Sequence, residues 1–178
     1  MNIFISGGCK NGKSMYAQKL AKEMADTKGS KLYYIATMIP TDDEDRRRIE
    51  KHIDDRRGWG FETLEQGVDI CCLLGEDVDP RGAFLLDSVT ALLSNEMFKS
   101  DGTCNPGAGK KVANELADFA KRTGNTVFVS DYIYSDAKIF DGYTERYRES
   151  LAHIDRQLAS ICDQVIEVAY GNTYYYNR

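Results

Sequence analysis

"NIFISGGCKNGKS" covers residues 2–14, and its reading decides the fold. The apolar run "NIFIS" (2–6) leads directly into Gly7–Ser14, which fits the pattern G-x-x-x-x-G-K-S/T. Gly7 and Gly12 permit backbone angles that a Cβ would forbid, so successive N–H groups can converge on a β-phosphate. Lys13 reaches the β/γ oxygens, and the Ser14 hydroxyl can ligate Mg2+. Gly8, Cys9, Lys10 and Asn11 between them offer chiefly their backbone amides. The helix that follows, "KSMYAQKLAKEMA", turns its positive N-terminal end toward the same phosphates. A glycine-rich turn that binds nothing is the bland alternative, and the strand–loop–helix context argues against it. A phosphate cradle of this kind serves kinases, motors, switches and nucleotidyl transferases alike.

Outward from this stretch, short apolar runs alternate with helical patterns. "KLYYIA" (31–36), "AFLLD" (83–87), "TVFVSD" (126–131) and "QVIEVA" (164–169) read as strands covered on both faces, because they are apolar nearly throughout. Asn105-Pro106 opens a helix over 107–123 with Val112, Leu116, Phe119 and Ala120 on one face, and Gly124 closes it. A second helix over 145–162 carries the stripe Tyr147, Leu151, Ile154, Leu158, Ile161. Strands alternating with helices behind a phosphate loop predict one α/β domain over 1–178, a three-layer P-loop NTPase fold of the RecA-like kind with a mostly parallel central sheet. The ending "YGNTYYYNR" is a hairpin edge, an oligomer contact or a loosely packed tail. The loop "KSDGTCNPGAG" (99–109) has the composition of a mobile segment.

With 42% apolar and 29% charged residues the composition is that of an ordinary globular chain. A net charge of −5 argues against a general nucleic-acid binder. No run approaches a membrane span and no signal peptide is visible. Five cysteines without CxxC spacing argue against metal clusters and disulfides, and for a reducing cytoplasm. Cys71 and Cys72, in "ICCLL", are expected in the core. Cys9 is filler in the phosphate loop, with some chance of redox sensitivity.

Asp87 ends the apolar strand "AFLLD", where a carboxylate for the nucleotide's Mg2+ belongs; capping of the next helix, "VTALLSNEMF", is the competing role. The chain has two histidines. His153 lies in the amphipathic helix as a surface or packing residue. On a helix from about Asp42 to Arg57, Arg48, His52 and Arg56 share a face at spacings of four. Two guanidiniums favour a neutral imidazole and also bind phosphate oxygens. A neutral imidazole among phosphate-binding groups suits a nucleophile that attacks phosphorus. A solvated surface histidine is the plainer reading of the same pattern.

These residues together resemble the bifunctional adenosylcobinamide kinase/adenosylcobinamide-phosphate guanylyltransferase family of cobalamin biosynthesis. The likeness runs in order from "GGCKNGKS" through "YIAT" (34–37) to "DDEDRRRIEKHIDDR" (42–56), similar to the family's D-D-E-M…R-I-x-x-H-x-x-x-R. It continues through "TLE" (63–65), "LLDSVTALLSNEMF" (85–98) and "RYRESLAHIDRQLASICDQVIEV" (146–168). The resemblance implies an enzyme that takes adenosylcobinamide and GTP, with ATP or GTP as phosphoryl donor and Mg2+ as cofactor. It makes His52 the guanylylated nucleophile, beside Lys13 as the charge-stabilising group. It implies that Ala36, Thr37, Met38, Ile53, Asp54, Asp55, Arg56, Glu65 and Asp87 join the loop residues at the nucleotide, and that Ser14 and Asp87 hold the metal. Glu65 would accept hydrogen bonds from guanine or from ribose. A homo-oligomer, often a trimer, is implied as well.

The chain also departs from the family pattern. Where the family has N-E-V-G-x-G-I-V-P, this chain reads "DYIYSDAKIFDG" (131–142), and the family's Asn-Gln in the last helix is Asp155-Arg156. Rigid aromatics in place of glycines reshape the corrinoid side more than the nucleotide side. Two alternatives therefore stay open: a small-molecule kinase without guanylyl transfer, and a GTP-binding regulatory module.

Overall fold

The computed structural model describes residues 1–178 apart from Glu76, Ser100, Asp136, Asn177 and Arg178, and of Arg48 and Asp55 only the backbone. Seven strands form one sheet in the order β3-β2-β4-β5-β1-β6-β7. They are β1 (Ile3–Gly7), β2 (Leu32–Ala36), β3 (Glu62–Glu65), β4 (Ala83–Asp87), β5 (Thr126–Asp131), β6 (Gln164–Ala169) and β7 (Asn172–Tyr176). All neighbours run parallel except β7, which turns back on β6. The ending "YGNTYYYNR" therefore forms a hairpin edge as far as Tyr176, the first of the three readings above.

Alternation along each strand feeds two apolar layers. Ile3, Ile5, Leu85, Val127 and Val129 face helix α1 (Lys13–Lys28). Phe4, Phe84, Leu86 and Phe128 face α3 (Val89–Met97), α4 (Ala108–Thr123) and α5 (Gly142–Ile161). The result is the three-layer architecture expected from the sequence. Helix α2 (Asp43–Asp55) has no buried side chain among its described residues. It contributes nothing to the core and lies at the edge of the sheet where the site forms. Among the described residues no helix is long and apolar enough to cross a membrane.

Several local expectations change. Helix α4 starts at Ala108 and is capped by the Gly107 backbone, while Asn105 Oδ1 accepts from Gly107 N at 2.9 Å as a turn before the helix. Ile161 is 38% exposed because α5 ends there; Arg148 and Asp155 are buried instead. Cys72 is exposed, since residues 70–73 form a 3-10 turn that buries Ile70 and leaves Cys71 only partly covered. In the loop 99–109, Lys99 N donates to Thr103 O at 3.0 Å and Asn105 N to Met97 O at 2.8 Å, so backbone bonds close the segment around Asp101–Gly102.

Candidate active site

The phosphate loop is the turn between β1 and α1. Lys10 (φ 55°) and Gly12 (φ 91°) take left-handed conformations, and Gly12 caps α1 with no side chain in the way of its first amides. The Asn11 side-chain amide donates to the Val168 carbonyl and fastens the loop to the end of β6. A Cβ on Gly7 would lie 2.6 Å from Asn11 Nδ2 and closer still to the Val168 oxygen, so the approach depends on glycine. Lys13 is buried. Its Nζ donates to Gly8 O at 2.6 Å, to Asp131 Oδ1 at 2.6 Å and to Asn11 Oδ1 at 3.3 Å.

Asp87 ends β4 and stands between the loop and the next cavity. The Ser14 hydroxyl hydrogen-bonds its carboxyl, and Tyr34 Oη donates to its Oδ2 at 3.2 Å. Asp87 keeps some exposure as a residue, but its carboxyl group is surrounded. That burial pushes its pKa above the usual carboxylate range, against the opposing pull of Ser14, His52 and Tyr34. Capping of α3 belongs to Ser88, whose hydroxyl accepts from Ala91 N at 3.3 Å, and not to Asp87. Ser14 and Asp87 therefore supply two hard oxygen donors side by side, a set that suits Mg2+ completed by phosphate and water. A cation there would also relieve the desolvation of the Asp87 carboxylate.

Because β3, β2 and β4 are parallel neighbours, their carboxyl ends converge on one edge of the sheet. A cavity of about 550 Å3 opens there. Its walls come from Ala36, Met38, Ile39 and Pro40 after β2, from Glu65, Gln66 and Gly67 at the end of β3, and from Asp87, Ser88 and Ala91 at β4 and α3. Helix α2 closes it with Arg46, Ile49, Glu50, His52 and Arg56. That helix is set by Asp42, whose side chain accepts from Asp45 N at 2.9 Å, and by three acids in its first turn that complement the dipole. Arg56, the residue that caps α2, is buried with its guanidinium 3.7 Å from the centroid of the Tyr34 ring.

The cavity thus brings together His52, Arg56, Glu65, Ala36, Met38 and Asp87 of the residues expected from the sequence. The phosphate loop adjoins them through the contact of Ser14 with Asp87. Thr37 is fully buried and its hydroxyl is consumed by Ser88, donating to Ser88 O and accepting from Ser88 N, both at 2.8 Å. Ile53 is exposed and Asp54 pairs with Arg57 at 2.8 Å, so neither lines the cavity. Asp55 and Arg48 fall outside the described side chains; Arg46 is the second guanidinium at the cavity wall. His153 is exposed on α5, and Cys9 is exposed in the loop.

A family model described as cobinamide kinase / cobinamide phosphate guanyltransferase matches residues 3–175. The chain belongs to that family. Bifunctional adenosylcobalamin biosynthesis protein CobU of Escherichia coli is 25% identical over 182 residues, covering 96% of this chain and 97% of that protein. The CobP protein of Pseudomonas aeruginosa is 27% identical over 165 residues, covering 93% of this chain and 91% of that one. Among solved structures, the flagellar accessory protein FlaH of Methanocaldococcus jannaschii superposes with a TM-score of 0.52 at 14% identity, over 99% of this chain and 77% of that one. A KaiC-like protein of Pyrococcus horikoshii gives 0.51 at 13% identity, over 93% and 69%. At these identities the likeness concerns the RecA-like fold alone.

Within this cobinamide kinase / guanyltransferase family member, two residues stand out that the sequence reading did not place at the site. Asn95 donates its amide to Thr37 O at 2.7 Å and to Gly67 O at 2.9 Å, tying the β2 and β3 walls of the cavity to α3. Asp131 ends β5 and holds Lys13. Its signal was present: like Asp87, it is an acid closing an apolar strand at the carboxyl edge of a parallel sheet.

Proposed function

We propose that the chain phosphorylates adenosylcobinamide with a nucleoside triphosphate, and then transfers GMP from GTP through a guanylyl-His52 to the phosphorylated corrinoid, giving adenosylcobinamide-GDP. The observation that carries this reading is the gathering of His52, Arg46, Arg56 and Glu65 in one cavity that reaches the phosphate loop at Asp87. At about 550 Å3 that cavity is within the range of pockets that take nucleotide-sized ligands.

In guanylyl transfer an imidazole nitrogen of His52 attacks the α-phosphorus. A P–N bond forms, the bond from the α-phosphorus to the bridging oxygen breaks, and pyrophosphate leaves with the electron pair. Arg46 and Arg56 line the cavity where charge develops, and a guanidinium's fixed fork suits phosphate oxygens. Glu65 supplies an acceptor for guanine or ribose. A phosphate oxygen of the acceptor then displaces the histidine. In the kinase step Lys13 neutralises charge on the transferred γ-phosphoryl group. Mg2+, held by Ser14 and Asp87, would add Lewis-acid stabilisation of the same phosphates.

The segment after β5 favours a second reading on the acceptor side. Where the family pattern has glycines, this chain ties Ile133, Tyr134 and Lys138 to α5: Tyr134 Oη donates to Asp155 at 2.8 Å, and Arg148 donates to the carbonyls of Ile133 and Lys138. A kinase that has lost guanylyl transfer would suit such a change.

The test is chromatography of adenosylcobinamide incubated with the protein, Mg2+ and either ATP or GTP. The proposal expects adenosylcobinamide phosphate with either donor that the kinase step accepts, and adenosylcobinamide-GDP with GTP. Product that stops at the phosphate establishes the second reading. GTP binding with no corrinoid product contradicts both and leaves a nucleotide-binding regulatory module.

A further inference from the structure

Lys13 is fully engaged. An ammonium has three N–H donors, and among the described residues this one meets three acceptors: Gly8 O, Asn11 Oδ1 and the Asp131 carboxylate. Two of these belong to the phosphate loop itself. The third belongs to another strand and carries a full charge. Lys13 is 5% exposed and Asp131 28% exposed, so their contact at 2.6 Å is only partly screened by solvent.

The position of Asp131 is fixed by the fold. It pairs in register with Gly7, the first residue of the phosphate loop, and its N–H donates to Thr90 Oγ1 at 3.0 Å. Asp131 also lies near enough to Asp87, Asp155 and Tyr147 to act on them electrostatically. Phosphate oxygens that recruit Lys13 must draw it from this carboxylate. Once they have done so, a negative side chain faces negative phosphates.

We propose that Asp131 is an affinity-setting positioning residue: it competes with nucleotide phosphates for Lys13 and thereby lowers the affinity of the phosphate loop for di- and triphosphates. The inference rests on the reading of Gly7–Ser14 as a nucleotide loop and goes beyond it by naming the group that opposes the ligand.

The test compares wild type with Asp131→Asn, which keeps the shape and the acceptor oxygen for Lys13 and removes the charge. Binding of GTP, GDP and guanosine is measured by titration calorimetry in EDTA at low salt. Removing one charge a few ångströms from the phosphates is worth about tenfold in affinity at the dielectric of a partly exposed site. The expected result is GTP and GDP binding about tenfold tighter in Asp131→Asn, with guanosine unchanged. Raising the salt shrinks the gain. Asp131→Ala, which also removes the charge, gives a gain in the same direction and covers the case in which the first variant does not fold.

Wild type that binds GTP while both variants bind it equally or more weakly overturns the proposal and leaves the nucleotide-loop reading standing. A gain as large for guanosine as for GDP also overturns it, because the effect is then not on phosphate. Folded wild type and variants that bind neither GTP nor GDP overturn both the proposal and the nucleotide-loop reading beneath it.

Discussion

The Arg56 guanidinium lies 3.7 Å from the centroid of the Tyr34 ring, and the hydroxyl of that same ring donates to Asp87 Oδ2 at 3.2 Å. One aromatic side chain thereby links the helix that carries His52 to the strand that carries the proposed metal ligand. The stack orients a planar cation at the cavity wall, and burial leaves it little freedom.

Arg56→Ala is expected to cost about 1–2 kcal/mol of stability through the lost stack, and to slow guanylylation of His52 more than tenfold. Arg56→Lys keeps the charge without the planar fork and falls between the two. Urea midpoints and the rate of adduct formation measured on the same preparations separate the structural loss from the functional one.

Asn95 holds two walls of the cavity at once. Asn95→Ala leaves the carbonyls of Thr37 and Gly67 without that donor and should destabilise the protein by about 1–3 kcal/mol. Asn95→Asp is expected to be as damaging or worse, because a carboxylate oxygen then faces two carbonyl oxygens. In both variants the affinity for GTP falls by a larger factor than that for inorganic triphosphate, since the cavity loses its shape while the phosphate loop does not. Competition binding against a fluorescent GTP analogue measures the difference.

Asp155 gives the protein a signature in pH. Burial pushes its pKa up to about 6, although the Ser130 and Tyr134 hydroxyls favour the charged form. Tyr134 Oη donates to Oδ2 at 2.8 Å, while Oδ1 and the Ser130 hydroxyl that faces it are buried without closing a hydrogen bond. The folded state therefore binds this proton more tightly than the unfolded chain, whose carboxyl stays near 3.8. The stability that protonated Asp155 contributes is present below about pH 4 and is lost as pH rises to about 6. Asp155→Asn removes that titration. Its stability relative to wild type should rise by about 2 kcal/mol between pH 4 and pH 7 and then level off. Denaturant curves at intervals of pH test the sign, and a difference that is flat across the window refutes it.

The parts of this architecture that could be read from sequence are those where one physical demand dominates. Strands β1, β2, β4 and β5 are buried on both faces or nearly so, and their apolar runs announce it; β6, read the same way, buries only the face of Ile166 and Val168. Strand β3, "ETLE", is an edge strand with three of its four residues exposed, so its pattern carries no core signal. The tyrosines of β7 fit a strand, an interface or a tail equally well until their pairing with β6 is seen. At the site, the loop and Asp87 follow from local pattern. Asp131 ends an apolar strand as Asp87 does, but its partner Lys13 is seen only across the sheet; Asn95 carries no such local signal, because its role exists only where it reaches Thr37 and Gly67. Of the face drawn through Arg48, His52 and Arg56, His52 and Arg56 line the cavity, and Arg46 lines it from an earlier turn of α2.

The most direct measurement is the intact mass of the protein after incubation with GTP and Mg2+, followed by a chase with adenosylcobinamide phosphate. The account predicts a covalent GMP increment in wild type that is stable to alkali, labile to acid and discharged by the chase. It predicts no increment in folded His52→Ala. An increment that persists in His52→Ala, or a wild-type protein that turns over GTP with the corrinoid and never acquires one, contradicts the assignment of His52 as the nucleophile.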